Sequence, residues 1–340
     1  MFIINPVSLN RESNINNFIN MLISHFKGNE SNLSIYISKY PRDAISAIQK
    51  RAATLPPGQG LRVYAVGGDG ILFDCLNGVV GLNDVELGAI PYGNSNDFIR
   101  SFGEGLLERF RDIEKQINGD SLLTDVIYCG NNYVLNCCSV GMESYAILKF
   151  LDIKSQYSNV IEKFPRPIAR FLYNLGFFLS GILSIKNKTI INQYYQITID
   201  NHDLSGQYGM INIANGSCYG GDKCSTPFAA PNDGYLDIVL FKSTDIFEFI
   251  SKGLDYLYGK FFKYPELISY YRFKEATVRS ELPLVLQLDG EVFIDTNISV
   301  KIIPQAIKFI TVNGYQFKKR IVAHYDENRI KTVNQEFIGK

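Results

Sequence analysis

The sequence predicts an α/β N-terminal domain, with a parallel sheet covered by helices, followed by a β-rich, antiparallel, sandwich-like C-terminal domain. Over roughly the first 120 residues, short apolar strands alternate with helical patterns, an order typical of parallel sheets. After about residue 125 the pattern changes to short runs rich in Tyr, Val, Ile and Thr, separated by Gly, Asn and Asp, which is typical of antiparallel strands. A length of 340 residues suits about two domains.

Hydrophobic periodicity defines the elements of the N-terminal part. Apolar residues recur at helical spacing between Ile15 and Phe26, whereas they alternate along Leu33–Ser38 as in a strand. The predicted strands are Phe2–Asn5, Leu33–Ser38, Leu61–Val66 and Leu87–Ile90, and the predicted helices are Asn14–Phe26, Asp43–Ala53 and Ile71–Val79.

The C-terminal part is predicted to hold antiparallel strands with two helical insertions, Tyr145–Ile185 and Ile246–Tyr271. Phe171–Ile185 is the most apolar stretch, and it is shorter than the ~20 residues that a membrane span needs. It suits an acyl-binding wall or an interfacial helix, and equally a core helix; Tyr256–Tyr264 has the same alternatives. The predicted strands are Val126–Cys129, Asn132–Val140, Tyr194–Asp200, Tyr208–Ala214, Leu236–Phe241, Glu275–Ser280, Leu284–Leu288 and Ser299–Pro304.

Composition narrows the functional classes. Hydrophobic residues make up 46% of the chain, which excludes a disordered protein, and 34 basic residues balance 34 acidic ones, so no global field favours nucleic acid. The six cysteines include no CxxC pair, and with three histidines they favour reduced thiols over a zinc site. The N-terminus reads as a strand rather than a signal peptide. We therefore expect a cytoplasmic protein without nucleic-acid partners.

The sharpest motif is Gly67-Gly68-Asp69-Gly70, which lies between a buried strand and a helix. Glycines let the backbone approach an anion closely, and the helix N-terminus beyond them favours phosphate. Asp69 would repel a bare phosphate, so its presence indicates an intervening divalent cation. A plain Gly-rich turn is the alternative, and the motif is neither a dinucleotide fingerprint nor a Walker A loop.

A second polar loop, Pro91–Arg100, also follows a strand and opens a helix, with Ser95 or Asn96 as its N-cap. By itself it could be only a well-capped loop. Because ligands bind outside the carboxyl ends of strands in open α/β sheets, two such loops on neighbouring strands predict a binding crevice. Arg100 could hold phosphate oxygens or form a local ion pair.

Together, the motifs resemble the catalytic family of diacylglycerol kinases, which includes bacterial lipid kinases and sphingosine kinases. The resemblance spans roughly residues 2–315 and rests on motifs that occur in the family's order. They are Asn5-Pro6-Val7-Ser8, Gly67-Gly68-Asp69-Gly70 with Asn77-Gly78, Pro91-Tyr92-Gly93 with Asn96-Asp97-Phe98, Asn136 with Gly141, Asn215 with Tyr219-Gly220-Gly221, Pro227 to Asp237, and Gln287-Leu288-Asp289-Gly290-Glu291.

This resemblance implies an ATP-dependent, Mg²⁺-requiring lipid kinase with an NAD-kinase/diacylglycerol-kinase-like N-terminal domain over residues 1–124. Residues 312–335 are a candidate completion of that domain, and residues 125–311 form the lipid-acceptor domain. The implied proton acceptor is Asp289 or Glu291, a choice that spacing leaves open. The implied metal ligands are Asp69, Asp233 and the carbonyls of Ala230 and Tyr235. The implied nucleotide-binding residues are Asn5, Pro6, Ser8, Ser38, Gly67, Gly68, Asp69, Gly70, Asn94, Asn96 and Asp97.

The implied partner is a lipid such as diacylglycerol, met at a membrane surface by a peripheral protein, and a homodimer is one candidate assembly. Four residues depart from the family pattern: Leu9 replaces a Gly, Ile71 and Asn94 each replace a Thr, and Asp74 stands where Glu is common. Asn can still donate a hydrogen bond to phosphate and Ile cannot. Two alternatives therefore stay open: a degenerate module that binds nucleotide or lipid, and a kinase of small soluble molecules.

Overall fold

The structure is a computed structural model that describes residues 1–9, 12–103, 105–161, 180, 192–221, 223–312, 315 and 317. The chain forms two compact units. The first contains Met1–Asn136, Asn215–Tyr235 and the segment that begins at Ile302, and the second contains Cys137–Ala214 and Leu236–Lys301. The first unit is therefore assembled from three separate segments of the sequence.

Four strands of the first unit pair in parallel. They are β1 (Phe2–Ile4), β2 (Ile35–Ile37), β3 (Leu61–Gly67) and β4 (Val85–Pro91). Strand β1 lies between β2 and β3, and β4 follows β3 with Val66 opposite Ile90. The end of a late strand, β14 (Glu291–Ile310), continues the parallel pairing, with Lys308 opposite Glu86.

Both faces of this sheet are covered. Along β3, Val63 and Ala65 belong to one buried hydrophobic cluster, whereas Tyr64 and Val66 belong to another. Strands buried on both faces read as continuous apolar runs, which is why the sequence between Leu61 and Val66 is so apolar. The helices of this unit are α1 (Pro6–Leu9), α2 (Glu12–His25), α3 (Asp43–Ala53), α4 (Asp69–Val79), α5 (Asp97–Arg100), α6 (Leu107–Arg111) and α7 (Ile113–Ile117).

The first unit also takes in β5 (Ser121–Cys129) and β6 (Asn132–Val134), which pair with each other. The predicted boundary between residues 124 and 125 thus differs from the division in the structure. The physical reason is a buried carboxylate, Asp125, which accepts hydrogen bonds from Gly234 N and Gln305 N at 2.8 Å each. The candidate completion over residues 312–335 lies almost wholly outside the described residues.

The second unit is built from antiparallel pairs. Strands β11 and β13 each pair with two or more neighbours, and β10 pairs with both β7 and β11. Its described strands are β7 (Cys137–Gly141), β8 (Tyr194–Ile199), β9 (His202–Asp203), β10 (Gly206–Ala214), β11 (Leu236–Lys242), β12 (Ile268–Phe273), β13 (Glu275–Leu288) and the first part of β14. Its described helices are α8 (Met142–Ile161) and α9 (Ile246–Leu257).

Three predictions for the C-terminal part are corrected by the structure. The predicted strand Asn132–Val140 is broken into β6 and β7, because the Asn136 carbonyl accepts hydrogen bonds from Asn215 N and Gly216 N instead of a ladder partner. The predicted helical insertion Ile246–Tyr271 ends at Leu257, and Ile268–Phe273 is a strand. The predicted strand Ser299–Pro304 is the middle of the much longer β14. The predicted stretch Phe171–Ile185 lies outside the described residues except for Ser180.

Candidate active site

Two loops meet backbone to backbone at the carboxyl ends of β3 and β4. The Gly67 carbonyl accepts hydrogen bonds from Tyr92 N at 2.8 Å and Gly93 N at 3.1 Å. A Cβ on Gly93 would collide with the Cα of Gly68, so neither position has room for a side chain. The glycines are therefore needed for close packing of the two loops, and they leave backbone N–H groups near the start of α4.

Asp69 joins these loops through its carboxylate. Its two oxygens accept hydrogen bonds from Asn96 N and Asp97 N, each at 2.9 Å. Asn96 has a φ of 52°, a conformation that Asn tolerates, and its side-chain amide donates to Gly93 O at 2.8 Å. Burial raises the pKa of Asp69, while these backbone N–H groups oppose that shift. One carboxylate thus fixes the start of α5 against the start of α4.

Asp97 extends the same network to a loop far along the sequence. Its carboxylate oxygens accept hydrogen bonds from Gly220 N at 3.0 Å and Gly221 N at 2.7 Å. Burial and the nearby Asp69 carboxylate raise the pKa of Asp97. Two acidic side chains in one small region are typical of sites that bind a cation or handle protons.

The segment after β1 packs against the same glycine loop. Asn5 N donates to Val66 O at 3.0 Å, and a Cβ on Gly67 would come within 3.1 Å of both Asn5 Cβ and Ser8 Oγ. Ser38 N donates to Ile4 O at 2.9 Å, so Ser38 follows β2 at the same edge of the sheet. The structure thus brings these predicted nucleotide-binding residues together within the first unit.

Ser38 is itself held by a buried carboxylate. Asp43 accepts hydrogen bonds from Ser38 Oγ at 2.8 Å, Tyr36 Oη at 3.0 Å and Lys39 N at 2.7 Å. Burial alone would raise the pKa of Asp43, but these hydrogen bonds outweigh it and lower that pKa. Sequence reasoning identified Ser38 and missed Asp43; the only signal was a carboxylate at the first position of α3.

The two acidic residues around Gly290 lie in the second unit, in the turn between β13 and β14. Asp289 has a φ of 48°, donates its N–H to Cys137 O at 3.0 Å and accepts at Oδ1 from Cys137 N at 2.9 Å. Asp289 is half-buried, whereas Glu291 is exposed at the first position of β14. Asp289 is thus bound to Cys137 through both its main chain and its carboxylate, and Glu291 is solvent-exposed at the start of β14.

Two protein-family models match separate parts of the chain. Residues 1–129 match the family model described as diacylglycerol kinase catalytic domain. Residues 168–311 match the model described as YegS C-terminal NAD kinase beta sandwich-like domain. The chain belongs to the diacylglycerol kinase family of lipid kinases.

Individual relatives of this family member agree with that assignment. The chain is 26% identical over 316 residues to proteins of Staphylococcus aureus strains bovine RF122 / ET3-1 and MRSA252, both named "Putative lipid kinase". Each match covers 88% of this chain and 93% of the relative. Two solved structures from Bacillus anthracis str. Sterne, each named a "putative diacylglycerol kinase", have TM-scores of 0.66 and 0.65 at 21% and 22% identity, covering 92% of this chain and 96% of theirs. These structures support the fold alone.

Three of the four predicted metal ligands of this lipid-kinase family member, Ala230, Asp233 and Tyr235, lie in one tight turn of the first unit, whereas the fourth, Asp69, is hydrogen-bonded to Asn96 N and Asp97 N. The Ala230 carbonyl accepts hydrogen bonds from Asn232 N at 2.7 Å and Asp233 N at 3.3 Å, and Asp233 Oδ1 accepts from Tyr235 N at 3.1 Å. Carboxylate and carbonyl oxygens are the donors that magnesium prefers, so the donor types fit. Within the described residues, His, Cys, Asp and Glu side chains form no group of three or more that could hold a metal ion. The ligand set therefore stays a prediction.

Asp125 is the residue that sequence reasoning missed near this turn. It is buried, and its carboxylate ties Gly234 to Gln305, as described above. Asn215 Nδ2 also donates to the Asp125 carbonyl at 2.8 Å. A carboxylate in the middle of a largely apolar strand was the available signal, because such a group is rarely buried without partners.

Three of the four departures from the family pattern have clear structural settings. Ile71 is buried and belongs to a hydrophobic cluster of the first unit, so an apolar side chain packed in the core stands where the family pattern has a polar Thr. Asn94 is exposed at the tip of the second loop. Leu9 is buried in the cluster on the other face of the sheet. None of the six cysteines, all of which lie among the described residues, forms a disulfide. Among the described helices none has the length and hydropathy of a membrane span.

Proposed function

We propose that this chain is an ATP-dependent kinase that transfers the γ-phosphate of ATP to a lipid hydroxyl such as that of diacylglycerol. The observation that carries the proposal is the pair of loops at the ends of β3 and β4, joined by the Asp69 carboxylate. This arrangement supplies closely spaced backbone donors beside an acidic group, as the binding of a magnesium-bound triphosphate requires. The names of the relatives support the acceptor class.

The phosphates would be met by the backbone at Gly67, Gly68 and Gly70 and by the N-terminus of α4. An α-helix N-terminus carries a partial positive charge and unsatisfied N–H groups, both of which favour phosphate. Asn5, Pro6, Ser8 and Ser38 border the same strand ends and would contact the nucleotide. Asn94, at the exposed loop tip, keeps a side-chain amide that can donate to a phosphate oxygen.

Magnesium would be held near Asp69, whose two oxygens each accept one backbone N–H and retain further lone pairs. Asp97 would assist from the adjacent position. A second magnesium would use the Asp233 carboxylate with the carbonyls of Ala230 and Tyr235. When bound, magnesium neutralises the charge of the transferred phosphoryl group.

Glu291 is the better candidate for the base that takes the proton of the lipid hydroxyl. Its carboxylate is exposed at a strand end, where an acceptor molecule can reach it. The Asp289 carboxylate accepts a hydrogen bond from Cys137 N and would fix the turn that presents Glu291. Such a base contributes roughly 10²–10⁴-fold to the rate.

The test is magnesium-dependent transfer of labelled γ-phosphate from ATP into lipid extracted with organic solvent, with diacylglycerol, sphingoid bases and total membrane lipid as acceptors. We expect label in a lipid product from the wild-type chain and none from Asp69→Asn or Glu291→Gln. Absence of labelled lipid with any acceptor would overturn the proposal. Retained ATP binding would then favour a binding module, and labelled NAD product would favour a soluble-substrate kinase.

A further inference from the structure

The second unit exposes an apolar stripe on α9. Phe247, Ile250, Leu254 and Tyr258 are 82%, 45%, 59% and 60% exposed. Their spacings of three and four residues place them on one face of the helix and its C-terminal cap. At 1.5 Å per residue, the stripe is about 16 Å long. Single exposed apolar side chains are ordinary, whereas an aligned set of four indicates a binding surface.

The helix does not need this stripe for its own packing. Its opposite side carries Phe249 and Tyr256, which are buried in a cluster with strand residues of the same unit. The Phe249 ring stacks on Phe241 at 4.5 Å between centroids. The helix is thus anchored through one apolar face while a second apolar face meets solvent, a pattern that core packing does not explain.

The acidic groups around the stripe are engaged within the unit. Asp245 caps the helix by accepting from Phe247 N at 2.9 Å, Glu248 accepts from the Thr244 hydroxyl, and Asp255 accepts from the Tyr264 hydroxyl at 2.7 Å. Lys252 lies over the Tyr264 ring at 4.1 Å. Two exposed lysines, Lys260 and Lys263, follow the C-terminal end of the helix. The face therefore presents apolar side chains, with two lysines beyond its C-terminal end and the hydrogen-bonded carboxylates of Asp245, Glu248 and Asp255 beside it.

We propose that this stripe is the surface through which the protein inserts into the interfacial region of a lipid bilayer. Phe and Tyr rings suit the boundary between headgroups and acyl chains, and the flanking lysines suit the phosphates of the headgroups. The inference rests on the proposed lipid kinase function, because an enzyme of that class must reach an acceptor that resides in a bilayer.

The area of the stripe favours a bilayer over a second copy of the chain. A whole aromatic side chain presents about 150–250 Å², so the four partly exposed side chains offer on the order of 500 Å². A stable protein interface takes about 800 Å² from each partner. A bilayer requires no matching shape, so a narrow apolar stripe can bind it.

The sequence has no tryptophan, which permits a direct test. The variant Phe247→Trp carries a single tryptophan, at the most exposed position of the stripe, and tryptophan can be excited selectively over tyrosine. We expect its emission to shift to the blue with phosphatidylcholine vesicles and to be quenched when the acyl chains carry bromine. The control Met21→Trp, at an exposed position on α2, should show neither effect. Emission that vesicles leave unchanged in Phe247→Trp would overturn the proposal.

A second pair of variants measures the energetic contribution. The double variant Phe247→Ser/Leu254→Ser should lose roughly tenfold or more in vesicle partitioning, because it removes two apolar side chains whose burial in the bilayer favours binding. The double variant Met21→Ser/Ile23→Ser on α2 is the matched control and should bind as wild type does. Binding of wild type should persist in about 1 M salt, where charge attraction is screened. Equal loss in both double variants, or loss in salt alone, contradicts the inference.

Failure of the kinase assignment would be distinguishable from failure of this inference. Phosphorylation of a short-chain diacylglycerol, kept below its aggregation limit, should be equal in wild type and Phe247→Ser/Leu254→Ser. Vesicle binding that depends on the stripe without any phosphorylation would overturn the proposed function and retain the surface. Light scattering tests the other candidate for binding the stripe, a second copy of the chain. A wild-type dimer that Phe247→Ser/Leu254→Ser converts to a monomer would overturn the proposal of bilayer binding in favour of dimerisation.

Discussion

Asp289 and Glu291 flank one glycine, and their different surroundings separate a positioning role from a catalytic one. We expect Glu291→Gln to lower kcat by roughly 10²–10⁴-fold in a folded protein, because Gln keeps the size and polarity of Glu but cannot take a proton. Steady-state kinetics with thermal melts would check this.

Asp289→Ala should lower the free energy of unfolding by about 1–3 kcal/mol, since it leaves Cys137 N without its side-chain acceptor. Asp289→Asn, which keeps an acceptor and tolerates positive φ, is the control. A large loss of kcat in Asp289→Asn with an intact fold would reverse the two roles.

The hydrogen bonds to Asp43 predict how the free energy of unfolding depends on pH in the acid range. Because hydrogen bonds lower its folded-state pKa, the unfolded chain binds the proton more readily, and stability rises with pH through the acid range. The contribution is complete above the ordinary Asp value of 3.8 and is lost as pH falls through the folded-state pKa. We expect Asp43→Asn to flatten this part of the stability curve, measured by urea unfolding between about pH 2 and pH 5. Asp84→Asn, at an exposed position, should leave the curve parallel to wild type, and an unflattened Asp43→Asn curve would contradict the assignment.

At the scale of elements, the approach of two loops depends on glycine for steric reasons. Gly93→Ala would place a methyl group against the Gly68 backbone, which cannot move away as a flexible side chain can. We expect a loss of about 1–3 kcal/mol in unfolding free energy and weaker ATP binding, measured by denaturation and calorimetry. Gly253→Ala is the matched control, because a Cβ there meets nothing within 4 Å and Ala stabilises a helix interior by roughly 0.5–1 kcal/mol. Equal effects of the two changes would refute the steric explanation.

Elements with strong periodicity could be predicted from the sequence, and elements set by distant contacts could not. Asp43–Ala53 is a helix with the predicted bounds, and Leu61–Gly67 extends the predicted strand by one residue. Strand β12 was missed because its aromatic residues fit the helical pattern that precedes it; it forms by pairing with β11, whose sequence is remote. The length of β14 was missed because polar residues and Pro304 interrupt its apolar pattern. Propensity is a weak guide wherever pairing with a distant strand decides the conformation.

The same distinction holds for the candidate site. The motifs identified Gly67, Gly68, Asp69 and Asn96, because these residue types at strand ends have a direct chemical meaning. Asp43 and Asp125 were not identified, since their partners are backbone groups whose proximity only the folded chain creates. Asp97 was predicted as a nucleotide-binding residue, and its hydrogen bonds to Gly220 N and Gly221 N could not be predicted across a separation of more than one hundred residues.

At the scale of the whole molecule, the first unit cannot be separated from the rest by a single cut. A fragment of residues 1–136 contains every nucleotide-binding motif, yet it lacks the partners of Asp97 and Asp125 and the strand that pairs with Glu86. Leaving buried carboxylates and backbone groups unpaired costs roughly 1–3 kcal/mol each, a large part of a typical stability of 5–15 kcal/mol. We therefore expect the fragment to lack cooperative unfolding and amide protection by hydrogen exchange, whereas the full chain shows both. A fragment that folds cooperatively and binds ATP as the full chain does would contradict this expectation, because it would show that residues 1–136 fold without the later segments.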